Sequence, residues 1–168
     1  LAVARRSPER PLENLLAALA DEALVVLLSA ISNHDNMGAI FRNAAAFGAD
    51  LVILDQQCCD PLYRKSIRVS VGGVLKVPFA RAGSLNSVCI ALTESGYSLA
   101  ALSPHGEHPV DALPNEGRRA LILGTEGTGL PREILAHLPS FHISMSGSFD
   151  SLNVATASGI ALHHASGR

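Results

Sequence analysis

Apolar positions along the first third of the chain change period twice. "PLENLLAALA" (11–20) spaces its leucines along one face of a short amphipathic helix, with Pro11 near its start. "EALVVLLSAI" (22–31) is then an unbroken apolar run, the pattern of a strand buried on both faces. Residues 33–36 form a polar loop after it. Met37, Ile40, Ala44 and Phe47 next fall on one helical face, and Gly48 stands where a left-handed C-cap would end that helix. "DLVILD" (50–55) predicts a second buried strand.

Further on, "DPLYRKSIRVSVGG" (60–73) reads as a helix-like segment ending at Gly72 and Gly73, ahead of a short strand around "LKVPF" (75–79). Ser84 is placed to cap a helix over "LNSVCIALTES" (85–95), closed by Gly96, and "YSLAALS" (97–103) follows as a strand. A loop rich in Pro, Gly and His spans 103–117. After it come a strand "RRALILG" (118–124), a turn "TEGTGL" (125–130) and a helix "PREILAHL" (131–138) with Pro131 at its first position. A brief strand "FHIS" (141–144) and a final helix dense in small residues, "SLNVATASGIALHHA" (151–165), complete the pattern.

Strands separated by helix-length crossovers predict an α/β fold, a mostly parallel sheet with helices on both faces. Ligands of such sheets sit beyond the carboxyl ends of the strands. The three unusual loops, 33–36, 124–130 and 144–150, all follow strands, so one shared site is expected.

Composition narrows the function. The chain has 168 residues, 48% of them hydrophobic and only 17% charged, which excludes a disordered tail and leaves surface for a partner subunit to cover. A net charge of −2 excludes a protein that coats nucleic acid through overall positive charge. Local patches stay open: Arg64, Lys65 and Arg68 lie in one stretch, either as phosphate contacts or as a solvated helix face. Cys58, Cys59 and Cys89 show neither zinc nor redox-pair spacing, and the seven histidines lack HxxxH or HExxH, so no metal is expected. No apolar run reaches the ~18 residues of a membrane span, and the first residues lack a signal-peptide core, so a cytoplasmic protein or a piece of one is expected.

Chemistry concentrates in two loops. In "LILGTEGTGLPREIL" glycines precede a helix start, as in a phosphate cradle, yet there is no GK[ST] ending and no GxGxxG spacing. Glu126 puts a carboxylate where a phosphate would sit, which suits a hydroxyl, amine or sulfonium ligand, or else a plain turn. In "SMSGSFDSLNVATASGIAL" the small residues let another backbone come close, for tight packing or a dimer seam. Ser151 and Asn153 there sit at a helix start and can also face a ligand.

Together these stretches resemble the three signature motifs of the SpoU (TrmH-type) branch of the SPOUT superfamily of S-adenosylmethionine-dependent RNA methyltransferases. The first motif is met by Asn36, Gly38, Ile40, Arg42, Ala44, Ala46, Phe47 and Gly48, the second by "LGTEGTGL" (123–130), and the third by "ISMSGSFDSLNVATASGIAL" (143–162). Thr125, Ser144 and Asn43 depart from the usual Asn, Pro and Thr.

The resemblance implies an N-terminal extension over 1–22 and a catalytic domain over 23–168, with a C-terminal trefoil knot that holds the cofactor. It implies a homodimer with the terminal helices at the interface, and methyl transfer to a ribose 2′-hydroxyl of tRNA or rRNA. The alternative is a knot domain that binds cofactor and RNA without transfer. By the same resemblance S-adenosylmethionine lies against Leu102, Gly124, Glu126, Gly129, Ile143, Met145 and Leu152. The catalytic set is Arg42, Asn36, Glu126, Ser151 and Asn153, and Arg42, Arg64, Lys65 and Arg68 meet RNA. The family's proposed base is Arg42. A guanidinium, which gives up its proton very reluctantly, is better suited to hold the ribose and its phosphate. Arg42 is expected buried among the alanines of its helix and oriented by Asn36.

Overall fold

The apolar run near the start becomes strand β1 (Ala23–Leu28), buried along its whole length. Its side chains divide between two cores. Leu24, Val26 and Leu28 join Met37, Ile40, Phe41 and Ala44 on one face, while Val25 and Leu27 join Val88 and Leu92 on the other. Burial of each large aliphatic side chain contributes ~1.5–3 kcal/mol, so both faces must be covered.

The computed structural model describes Arg6, Pro8 and residues 10–125, 127–147 and 150–167. Among these the further strands are β2 (Leu51–Leu54), β3 (Phe79–Arg81), β4 (Ser98–Leu102), β5 (His108–Pro109), β6 (Arg118–Leu123) and β7 (Ser140–His142). They form one sheet in the order β3-β2-β1-β6-β4-β7-β5, with every neighbouring pair parallel. Helices α2 (His34–Phe47), α4 (Gly73–Lys76) and α7 (Val154–Ala165) cover one face, with α3 (Arg64–Val69) packed on α2. Helices α1 (Leu12–Ala17), α5 (Leu85–Glu94) and α6 (Arg132–Leu135) cover the other. The expected α/β architecture is therefore present.

Capping fixes the helices that matter most. The Asn33 side chain accepts from the N–H groups of Asp35 and Asn36, and Gly48 ends α2 at φ 71°. Ser84 accepts from Ser87 N–H at the start of α5, and Asn153 accepts from Ala155 and Thr156 at the start of α7. Side-chain acceptors here satisfy N–H groups that have no partner within the helix.

Four expectations need correction. Because Asn33 caps α2, residues 34–36 are its first turn rather than a loop. Leu75 and Lys76 belong to α4, where Val77 N–H donates to Gly73 C=O, and the strand begins only at Phe79, after Pro78, which has no N–H to give the ladder. Helix α6 is four residues long with Pro131 as its N-cap, and Pro139 follows close behind. Within the loop 103–117, His108 and Pro109 pair with β7, and Val110–Ala112 make a 3-10 turn.

Candidate functional site

An all-parallel sheet carries every strand's carboxyl end to one edge. There a cleft of about 630 Å³ opens beyond β4, β6 and β7, within the size range of small-molecule sites, ~300–1,000 Å³. Its apolar walls are Leu102, Leu123, Leu130, Ile143 and Leu152, and its polar groups include Ser103, Thr125, Thr128, Ser151 and Asn153.

The turn after β6 owes its shape to glycine. Gly129 N–H donates to Thr125 C=O at 3.1 Å, with Gly127 and Gly129 at φ 89° and 66°. A Cβ on Gly124 would lie 2.6 Å from main-chain atoms of Gly129 and Leu130. Only glycine lets the turn fold back on its own beginning.

Leu102, Gly124, Gly129, Ile143, Met145 and Leu152 all line this cleft, as do Ser151 and Asn153. Glu126 lies outside the described residues. Of the three loops singled out in the sequence, two form the cleft directly. The third reaches it through one bond: Asn153 Nδ2 donates to Asn36 Oδ1 at 3.0 Å, and Asn36 is only 7% exposed.

Helix α2 is tied to its neighbours on both sides of its middle. A Cβ on Gly38 would meet Ser66 C=O at 2.6 Å and Val69 Cβ at 2.8 Å, so this glycine sets the close approach of α3. Asn43 Nδ2 donates to Ala155 C=O at 2.8 Å and to Ser158 Oγ at 2.9 Å, clamping α7.

Arg42 sits between these contacts, and its side chain is exposed rather than buried among alanines. Ala44 takes the buried position, because an unpaired guanidinium is far too costly to desolvate. The Arg42 side chain shares no hydrogen bond with Asn36 or any other described residue, and it does not line the cleft. Its main chain is nonetheless held, since a Cβ on Gly73 would come within 3.2 Å of Arg42 Cα.

Arg64, Lys65 and Arg68 are exposed on α3. Lys65 pairs with Asp35 at 2.6 Å, both half-exposed, a surface contact worth ~0–1 kcal/mol. Arg64 and Arg68 have no ion pair with a described residue. The cleft also takes in Pro104, His105, Arg132 and Ala157, which the sequence reading passed over. Its one signal was the Pro- and His-rich start of the loop after β4.

None of the thiols is activated as a nucleophile. Burial pushes Cys58 up to about 12 and Cys89 to about 11, and it raises Cys59 as well. Among the described residues there is no group of three His, Cys, Asp or Glu able to hold a metal, and no helix long and apolar enough to cross a membrane.

The model of the SpoU rRNA Methylase family matches residues 23–163. The chain belongs to this family. A similar protein from Mycobacterium bovis, named as an uncharacterized tRNA/rRNA methyltransferase, is 41% identical over 169 residues, covering 97% of this chain and 57% of the relative. This chain thus spans little more than half the length of that relative. The SpoU methyltransferase AviRb from Streptomyces viridochromogenes, solved in complex with AdoMet, superposes with a TM-score of 0.84 at 27% identity, covering 95% of this chain and 64% of that one. A structure named as an RNA 2′-O ribose methyltransferase gives a TM-score of 0.81 at 29% identity over 94% of this chain and 60% of that chain.

Proposed function

We propose that this SpoU-family domain transfers a methyl group from S-adenosylmethionine to a ribose 2′-hydroxyl of tRNA or rRNA. The observation that carries the reading is the bond from Asn153 to Asn36. It joins the wall of the cleft to the helix that presents Arg42. The AdoMet-bound neighbour and the neighbour named for 2′-O methylation support the choice of cofactor and acceptor.

The residues fit the cofactor. Leu102, Ile143, Met145 and Leu152 give apolar surface suited to a purine, and the glycine-shaped turn 124–130 leaves main-chain polar groups close to it. When bound, S-adenosylmethionine supplies an electrophilic methyl group on a positively charged sulfur. Ser151 and Asn153 border the approach of the hydroxyl, with Glu126 assigned there by family resemblance.

A guanidinium offers a planar fork of donors and no acceptor, so we give Arg42 the holding of the ribose and its phosphate. Its exposure leaves the guanidinium free to meet RNA, and the packing of α2 on α3, α4 and α7 makes its base rigid. Alignment of reacting groups can supply ~7–11 kcal/mol of a displacement barrier. Arg64, Lys65 and Arg68 extend the basic surface along α3. We also carry over the boundaries at 1–22 and 23–168, the knot, and a cytoplasmic homodimer.

Calorimetry with S-adenosylmethionine and with ATP tests the cofactor reading. Saturable binding of the first and none of the second is expected, and the reverse would overturn it.

A further inference from the structure

Among the described residues lining the cleft there are two fixed charges, Arg132 and Asp150, and the cation stands alone. Arg132 is exposed at the beginning of α6 and has no hydrogen bond or ion pair from its side chain to a described residue. The rest of the lining is apolar or neutral, apart from His105. A guanidinium that borders a ligand cleft without a protein partner offers a planar pair of donors matched to a carboxylate. The carboxylate that matters here is that of a ligand.

We infer that Arg132 binds the α-carboxylate of the cofactor's amino-acid end. This rests on the reading of the cleft as a site for S-adenosylmethionine, whose purine calls for the apolar walls and whose anionic group calls for a cation. In that ligand the carboxylate is the one anion, and Arg132 is the one described fixed cation in the lining able to meet it. Asp150 supplies the opposite charge for the ammonium or sulfonium.

The test compares two ligands that share the adenosine part. S-adenosylhomocysteine keeps the amino-acid end, and 5′-methylthioadenosine lacks it. In calorimetry, Arg132→Ala is expected to weaken S-adenosylhomocysteine about tenfold, a charge-assisted bond discounted for exposure, with methylthioadenosine within twofold of the unsubstituted protein. Arg132→Lys should recover part of the loss.

Unchanged affinity for S-adenosylhomocysteine would overturn the assignment, and a concurrent fall in RNA affinity would give Arg132 to a phosphate instead. Equal losses for both ligands would overturn it too, since the side chain would then act on cleft shape. If the unsubstituted protein binds neither ligand, the cofactor reading itself falls, and the assignment with it.

Discussion

Gly38→Ala sets two known effects against each other at one position. Replacing a helical glycine by alanine favours the helix by ~0.8–1.0 kcal/mol. At Gly38 the new methyl would lie 2.6 Å from Ser66 C=O and 2.8 Å from Val69 Cβ. An ordinary carbon-to-oxygen contact is ~3.3 Å or more, so α3 must move away by about 0.7 Å. Overpacking of this kind costs ~1–3 kcal/mol, and main-chain oxygen cannot rotate aside. Where main chain is struck the upper part of that range applies, about 2–3 kcal/mol, so the net expectation is a loss of about 1–2 kcal/mol. For a domain of this size that lowers the melting temperature by roughly 2–8 °C. Thermal unfolding followed by circular dichroism measures it. Val69→Ala in the same chain should relieve little of the strain, because alanine keeps the Cβ that the new methyl meets and the Ser66 carbonyl remains. A rise in melting temperature for Gly38→Ala would show that propensity acts alone and that α2 and α3 are not in close contact.

Asn43→Ala removes both bonds from α2 to α7, at 2.8 and 2.9 Å, and should cost about 1–2 kcal/mol in urea unfolding with an unchanged slope. Asn43→Thr should recover part of it, and a wild-type midpoint for Asn43→Ala would refute the clamp. Cys58, raised to about 12 from an ordinary value near 9, favours the neutral thiol in the folded state. Its stabilising contribution is complete below about pH 9 and is lost as pH climbs toward about 12, because only the unfolded chain ionises in that window. Cys58→Ala should flatten that part of the stability profile, and Cys59, the less buried thiol, should react with a disulfide reagent before Cys58 and Cys89. An unflattened profile would contradict the cause given.

The strands most legible in the sequence are β1, β2 and β6, whose unbroken apolar runs follow from burial on both faces. Gly48 and Ser84 were legible for an equally local reason, since a left-handed cap and an N-cap each depend on one residue. Strand order was not legible: nothing in "YSLAALS" says that β4 pairs with β6 and β7, a choice made by long-range packing. Leu75 and Lys76 misled because two apolar-to-polar steps fit a strand as well as one helical turn. Within the site, the turn 124–130 was visible from its glycines. Arg132 and His105 were not, because single exposed polar residues carry no period. Arg42 stands among small residues, but of these alanines only Ala44 is fully buried, while Arg42, like Ala46, faces solvent.

The most direct test is transfer of a labelled methyl group from S-adenosylmethionine to RNA, by the unsubstituted protein and by Arg42→Ala, with digestion to nucleosides. The label should appear on a ribose 2′-oxygen, and Arg42→Ala should lose at least about 100-fold in rate while binding the cofactor within threefold. Near-normal transfer by Arg42→Ala, or label on a base, would contradict the assigned chemistry.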